Sequence, residues 1–227
     1  MNVDRSSQHS AIVIRVSPFG DHHAMVDLLT PGQGLLPAVA YGLRGRRSSL
    51  RGKIVPFARG TAWLYRDPRQ ERSKITDFEV ERYALNLSAD LDAFYEASLW
   101  AEVIWRSHAS GDTGDDVFHL FDAALDLLDG APGDASVLGS VVLWRYLEIM
   151  GLQPDESDIP DTDPRAVRYL NHVSRGALSI PRLNLSERFL LYVRRFVVAG
   201  IQDALGVPLN TLKVSGGLRG ISSRSTG

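Results

Sequence analysis

The chain has 227 residues, of which 44% are hydrophobic and 23% charged, a composition typical of a globular protein. It contains no cysteine, which excludes disulfides, thiolate zinc sites and cysteine nucleophiles. The formal net charge of -2 conceals two basic segments, +5 over residues 1–80 and +8 over 165–227, that flank an acidic one of -15 over 86–164. No window approaches the roughly 18 apolar residues of a membrane helix, and no signal-peptide core is present, so we expect a cytoplasmic protein.

The first eighty residues show the alternation of short strands. Apolar residues at every second position predict a strand over Ser10–Val16, followed by a turn at Ser17–Asp21. The further predicted strands are Met25–Thr30, Leu35–Tyr41, Ile54–Ala58, Thr61–Arg66 and Ser73–Val80. Pro31–Gly34 is expected to close a hairpin. About five short strands joined by turns predict a small closed barrel.

A basic loop, defined here as Gly42–Lys53, interrupts these strands. It holds five cations and no acid, and its glycines and serines predict a mobile loop. The cations are Arg44, Arg46, Arg47, Arg51 and Lys53. Such a loop on a β scaffold suits the phosphate backbone of a nucleic acid, although a solvated hairpin tip has the same composition.

Four aromatic residues lie on the strands that flank or follow the basic loop: Tyr41, Phe57, Trp63 and Tyr65. Exposed aromatics beside a cationic groove bind single strands by stacking on the bases. The alternative is that these side chains fill the barrel core. Within Thr61–Arg66, Trp63 and Tyr65 are predicted to face away from Ala62 and Leu64.

The apolar period changes to that of helices at Asn86. Leu91, Phe94, Ala97, Ala101 and Ile104 predict the buried stripe of a first helix. A second helix has an apolar stripe at Val117, Leu120, Phe121, Ala124 and Leu128. Its acids are predicted to form a solvated face and are Asp115, Asp116, Asp122, Asp126 and Asp129.

A third helix over Leu138–Ile149 is apolar on most sides and therefore predicted to be central. Residues 153–164 have the composition of a linker, and Arg165–Val173 predicts a short helix. Ser186 is a plausible cap for a long final helix.

The final helix has an apolar stripe formed by Phe189, Leu190, Val193, Phe196, Val197 and Ile201. Arg188, Arg194 and Arg195 lie off that stripe, where they could border a groove for an acidic peptide or simply pair with neighbouring acids. The tail from residue 216 is expected to be disordered.

Motifs for catalysis or metal binding are missing from the sequence. The adjacent His22 and His23 would point to opposite faces of an extended segment and chelate poorly together. Neither a Walker phosphate loop nor a Gly-x-Ser-x-Gly elbow occurs. We expect no cofactor and no enzymatic activity. A hydrolase that uses the acidic helices has no motif in its favour.

The order of short motifs resembles the bacterial recombination mediator family RecO. The motifs are Ala11–Arg15, Pro18–Asp21, Leu28–Gly34, Ala40–Gly42, Ser49–Gly52, Pro56–Phe57, Phe94–Glu96, Arg145–Pro154 and Ala204–Leu209. The resemblance implies an α+β protein with a five-stranded OB-fold barrel over residues 1–82 and an all-α helical domain over 83–215. Many members of the family carry four zinc-binding cysteines in the part that matches residues 153–180, whereas this chain has none there.

The resemblance implies a function without covalent chemistry. Such a protein binds single-stranded DNA, anneals complementary strands and helps to load recombinase in the RecF pathway of DNA repair. RecR and the C-terminal tail of the single-stranded-DNA-binding protein are the implied partners, and the location is cytoplasmic and nucleoid-associated.

The predicted DNA-binding residues are the five loop cations with Tyr41, Trp63 and Tyr65. The predicted partner-binding residues are Arg188, Arg194 and Arg195. The alternative function is a protein–protein adaptor with a structural barrel and little affinity for DNA.

Overall fold

The computed structural model describes residues 5–66, 72–107, 114–131, 135–154, 163–180 and 185–212. The chain forms two compact units, Met1–Ala84 with His108–Asp122 and Leu85–Ser107 with Ala123–Gly227. The tail from residue 216 and residues 155–162 of the predicted linker lie outside the described residues.

The first unit is built on a closed five-stranded barrel. The strands are β1 (Ser6–Phe19), β2 (His23–Thr30), β3 (Gly34–Ala40), β4 (Arg59–Tyr65) and β5 (Ser73–Arg82). Their order around the barrel is β1-β2-β3-β5-β4. Only the β3–β5 pair is parallel among the pairs described, and β4 closes the ring against β1. The barrel therefore has the OB-fold architecture that was predicted.

The long strand β1 pairs with a different neighbouring strand along each half of its length. Its first half, Ser6–Ile12, pairs with β4, and Ile12–Phe19 pairs with β2, with an irregularity between Val13 and Arg15. Gly60 lets β4 approach β5 closely, because a Cβ there would lie 2.0 Å from the carbonyl oxygen of Glu79. Such irregularities and glycines allow a short sheet to coil into a barrel.

The predicted strand over Ile54–Ala58 is wrong. This segment makes turns, and Pro56 has no amide hydrogen to give to a ladder. Phe57 has a positive φ of 67°, and its amide donates to Val13 at 2.8 Å. The Val13 amide in turn donates to Ala58 at 2.9 Å. Burial of the Phe57 ring, only 3% exposed, holds this strained conformation in place.

The turn predicted at Ser17–Asp21 is also shorter than expected, because β1 continues to Phe19 and only Gly20–His22 make the turn. The hairpin across Pro31–Gly34 is confirmed, with Thr30 opposite Gly34. The barrel interior is lined by small and branched apolar residues, together with Phe78. This tight filling leaves the barrel as a packed core rather than a channel.

The helices are α1 (Leu91–Ser107), α2 (Gly114–Gly130), α3 (Ala135–Ile149), α4 (Pro164–Val173) and α5 (Glu187–Leu205), preceded by a 3₁₀ turn over Asn86–Ser88. The first half of α2 belongs to the barrel unit and the second half to the helical unit. Within the barrel unit the ring of Phe121 meets that of Phe57 edge-on at 6.4 Å. The first half of α2 thus packs with the barrel rather than with the helices that surround it in sequence.

The helical unit is organised around α3, as its apolar pattern predicted. Ten of its residues are buried, including Trp144, whose ring lies 5.8 Å from that of Phe196 on α5. Ser186 caps α5 by accepting a hydrogen bond from the amide of Phe189, which confirms the predicted start. The predicted stripe of α1 is partly wrong, since Leu91 and Phe94 are exposed. No helix in the described part of the chain is long and apolar enough to cross a membrane.

Candidate nucleic-acid interface

The basic loop is anchored to the barrel by two leucines. Leu43 and Leu50 are 7% and 5% exposed and join the apolar core of the barrel. Burial of two leucines costs the loop much of its conformational freedom and stabilises one arrangement. The segment is a loop, as predicted, but two buried leucines attach it to the barrel, which the sequence analysis did not predict.

Hydrogen bonds to its backbone hold both ends of the loop. The amide of Arg44 donates to the carbonyl of His22 at 3.1 Å, and the amide of Gly42 donates to Nδ1 of His23 at 3.0 Å. Near the other end, the Tyr83 hydroxyl donates to the carbonyl of Gly52 at 3.0 Å. The β1–β2 turn and the start of the basic loop therefore lie side by side at one end of the barrel.

The four arginines of the loop, Arg44, Arg46, Arg47 and Arg51, are all exposed, and none forms an ion pair with an acid that the structure describes. The fifth cation, Lys53, instead donates to the carboxylate of Asp77 at 2.8 Å. That hydrogen bond, with a second from the Phe78 amide, lowers the pKa of Asp77. Four cations thus remain available for anions, while Lys53 serves chiefly to hold the loop to β5.

The aromatic residues divide between core and surface. Phe57 is buried, whereas Tyr41 and Trp63 are 41% and 38% exposed and Tyr65 is half-buried. The predicted alternation on β4 is confirmed, because Ala62 and Leu64 are buried. Trp63 lies opposite Asp77 on β5, so its neighbourhood includes a carboxylate. Tyr41 is the aromatic residue nearest in sequence to the four free arginines.

Two residues beside Tyr41 were missed by the sequence reasoning. The ring of His23 meets that of Tyr41 edge-on, with 4.9 Å between centroids. Nζ of Lys74 lies over the Tyr41 ring, 5.9 Å from its centroid. Lys74 pairs with Val39 on β3 and with Tyr65 on β4. The strand alternation could have placed Lys74 on the outer surface, but only the parallel β3–β5 pairing brings it to Tyr41.

The three predicted partner-binding arginines of α5 have different environments. Arg188 and Arg195 are exposed, and both lie on the helix face that carries Leu191, itself 46% exposed. Arg194 instead donates to the carboxylate of Glu96 on α1 at 2.8 Å, and its side chain is only 14% exposed. A small cleft lies at Ser136, Val137, Ser140, Tyr169, Leu190 and Val193, and none of the three arginines lines it.

Glu96 is the centre of a buried polar cluster in the helical unit. It is 7% exposed and accepts hydrogen bonds from Nε1 of Trp100 at 2.9 Å and from Arg194. Gly139 on α3 leaves room for it, because a Cβ there would lie 1.9 Å from a carboxylate oxygen of Glu96. Arg194 is therefore part of the architecture of α1, α3 and α5.

The acids of α2 were predicted to form a solvated face, and this prediction is wrong for two of them. Asp122 accepts hydrogen bonds from Arg59 at 3.1 Å and from Arg82 at 3.0 Å. Asp129 accepts from the amide of Asn86 at 2.8 Å. These two carboxylates have specific structural partners, whereas Asp115 and Asp116 are exposed. Among the described residues no group of three His, Asp or Glu side chains could hold a metal ion.

The geometry defines a two-part protein: a barrel of the oligonucleotide-binding fold with a cationic end, and a helical unit. Two family models match it, "Recombination protein O N terminal" over residues 1–84 and "Recombination protein O C terminal" over residues 88–158. The chain belongs to the RecO family of DNA repair proteins.

Relatives named DNA repair protein RecO agree with this assignment. The protein of Desulfatibacillum aliphaticivorans is 25% identical over 146 residues, which cover 64% of this chain and 57% of the relative. That of Heliobacterium modesticaldum is 31% identical over 148 residues, covering 65% and 52%. That of Yersinia pestis is 32% identical over 128 residues, covering 55% and 52%. The chain spans about half the length of the curated relatives it matches.

Proposed function

We propose that this chain is a non-enzymatic mediator of DNA repair and recombination. It binds single-stranded DNA through the cationic end of its barrel, anneals complementary strands and helps to load recombinase in the RecF pathway, in the cytoplasm at the nucleoid. The observation that carries the proposal is a set of four exposed arginines without acidic partners in the described chain, on the loop that begins directly after the exposed Tyr41.

The physical argument rests on how single strands are held. Phosphate contacts supply affinity, and stacking on an aromatic ring adds a contribution that tolerates any base. Anchoring of the loop lowers the entropy cost of phosphate binding, because fewer conformations are lost when DNA binds to a loop that is already ordered. In OB-fold proteins the turn between the first two strands belongs to the usual ligand face. Here the carbonyl of His22 in that turn accepts a hydrogen bond from the amide of Arg44, near the start of the basic loop.

A salt titration tests the proposal. Binding of a labelled oligo(dT) 30-mer is followed by fluorescence anisotropy between 50 and 300 mM NaCl, at about neutral pH, where counterion release predicts a steep linear loss of affinity. The variant R46A/R47A should reduce the slope of log K against log salt by about 1.4 if each arginine contacts one phosphate.

The matched control removes two arginines from the helical unit, as R168A/R175A, which changes the net charge equally. Both are exposed in the structure. The control should leave the slope within error. Equal losses in the two variants would mean that only overall charge matters. No measurable DNA binding by the wild-type chain would favour the protein–protein adaptor, with the loop docking an acidic partner.

For partners, we propose that the exposed face of α5 receives the acidic C-terminal tail of a single-stranded-DNA-binding protein, and that a RecR-like protein is a second partner. What supports the first is Leu191, exposed between Arg188 and Arg195, which could offer apolar contact beside two cations. Arg194 is left out of this surface because Glu96 engages it.

The partner surface is tested with the variant R188E/R195E. A labelled acidic peptide that ends in apolar residues should lose affinity at least tenfold, while oligo(dT) binding stays within about twofold, because the two surfaces are distinct. Parallel losses for both probes would make one common electrostatic surface responsible and remove the separate site. The thermal midpoint should not change, since both side chains are exposed.

A further inference from the structure

We propose that Tyr41 and Lys74 form a subsite for one unpaired nucleotide and that this subsite makes the barrel prefer single strands to duplex DNA. The inference rests on the proposed function and deepens it. The arginines of the basic loop then supply affinity for any phosphate backbone, whereas the Tyr41 ring recognises a base that is not already stacked in a helix.

Tyr41 is held in place before any ligand arrives. It follows β3 directly, where Ala40 pairs with Ala24 on β2. Its ring rests edge-on against His23, whose Nδ1 accepts the amide hydrogen of Gly42 at 3.0 Å. One imidazole therefore contacts both the ring and the backbone that follows it. Despite these contacts Tyr41 remains 41% exposed, so the residue is accessible to a ligand.

Lys74 adds a cation at the same position. Its backbone pairs with Val39, two residues before Tyr41, because β3 and β5 run parallel there. Its Nζ lies 5.9 Å from the centroid of the Tyr41 ring. Because that position is over the face of the ring, a base that stacks there displaces the lysine side chain, whose ammonium group can then meet the phosphate of the same nucleotide. The ring and the ammonium group therefore suit one nucleotide rather than two distant contacts.

The chemistry of the ligand follows from what a tyrosine face can bind. In duplex DNA each base is stacked between its neighbours, so its face is available only after unpairing. A flexible single strand offers free faces, and one base stacked on an aromatic side chain typically strengthens binding by about 5- to 150-fold. Tyr65 lies across Lys74 on β4 and is only half-buried, so it could border the same nucleotide.

The experiment compares three ligands on the full chain: oligo(dT), an abasic oligomer of equal length, and a duplex. The variant Y41A should weaken oligo(dT) binding by about 5- to 150-fold and change abasic and duplex binding by less than about twofold. Y41F should bind oligo(dT) as the wild type does, because stacking needs the ring and not the hydroxyl. K74A should weaken all three ligands and reduce the salt slope by about 0.7.

Phe94 on α1 provides the matched control, since it is an aromatic residue of similar exposure, 38%, in the other unit. F94A should leave all three affinities unchanged. If Y41A weakens abasic and oligo(dT) binding equally, the subsite recognises no base and the inference is overturned while the proposed function stands. If the wild-type chain binds none of the three ligands, the proposed function fails first, and this inference fails with it.

Discussion

The guanidinium group of Arg59, at the start of β4, lies 3.1 Å from the carboxylate of Asp122 in the first half of α2. The Arg59 side chain is only 5% exposed, while that of Asp122 keeps 23% exposure. Arg82 on β5 donates to the same carboxylate. One aspartate of α2 thus neutralises a buried cation at the point where two strands of the barrel lie side by side.

Asp122→Ala should therefore destabilise the protein by about 3 kcal/mol, because a buried arginine would lose its main counterion. Urea unfolding measured by circular dichroism tests this. Asp116→Asn, at an exposed position of the same helix, is the control and should cost less than about 1 kcal/mol. Similar losses in the two variants would mean that the Asp122 pairs add nothing beyond the effect of charge on the helix.

A second prediction concerns the buried cluster of the helical unit. Glu96→Ala should cost about 3–5 kcal/mol, because Arg194 would lose its carboxylate and Trp100 its hydrogen-bond acceptor. Gly139→Ala should also destabilise, by about 1–3 kcal/mol, because its Cβ would overlap the Glu96 side chain. Gly130→Ala, where a Cβ meets nothing within 4 Å, is the control. In the double variant Glu96→Ala with Gly139→Ala the glycine substitution should cost much less, and full additivity would contradict the contact.

A third prediction follows from Glu102 on α1. Burial opposes its ionisation, but hydrogen bonds from the amides of Thr211 and Asn210 and from Arg106 outweigh burial and lower its pKa below the ordinary 4.5. A lowered pKa in the folded state means that the carboxylate stabilises the fold above about pH 4.5 and that this stability is lost as the pH falls further.

The variant Glu102→Gln should therefore be less stable than the wild type at pH 7, and the difference should shrink when both are unfolded in urea at pH 3. The pH dependence expected for Asp27 has the opposite sign, because burial raises its pKa although the guanidinium group of Arg15 lies 3.8 Å from its carboxylate. The stability of Asp27→Asn relative to that of the wild type should therefore be higher at pH 7 than at pH 3. A difference for Glu102→Gln that stays constant with pH would show that its carboxylate charge contributes nothing.

The fourth prediction concerns the hydrogen bond between His23 and the basic loop. His23→Phe keeps an aromatic edge for Tyr41 but removes the acceptor of the Gly42 amide. Loss of about 1 kcal/mol should open the loop about fivefold more often, and trypsin should cleave after the loop arginines faster by that factor.

His23→Asn supplies an amide oxygen that can accept the same hydrogen bond, and it should restore part of the resistance to trypsin. His22→Asn is the matched control, because His22 accepts the Arg44 amide hydrogen through its backbone carbonyl, which the substitution leaves in place. That variant should be cleaved at the wild-type rate. If the phenylalanine variant is no more sensitive than this control, the loop is held by Leu43 and Leu50 alone.

Local features of the sequence were enough for much of the fold. The alternation on β4, the turn between β2 and β3, the cap at Ser186 and the apolar surface of α3 all depend on residues a few positions apart. Their geometry follows from periods of 2 and 3.6 and from turn and cap chemistry. The same local reasoning identified the basic loop and the resemblance to the family, but it did not reveal that the loop is anchored, because its two leucines pack against residues elsewhere in the barrel.

The remaining features depend on pairs of residues that are distant in sequence. Lys74 reaches Tyr41 only because β5 inserts beside β3, and Arg194 meets Glu96 across 98 positions. Asp122 belongs to the barrel unit, although the next residues of the same helix belong to the helical unit. In each case closure of the barrel or packing of the helices determines the partner. The sequence around a charged residue does not show which of the many opposite charges will lie beside it. The periodicities therefore determined the strands and helices, whereas tertiary packing decided which cations are free to bind an anion and which are held within the fold.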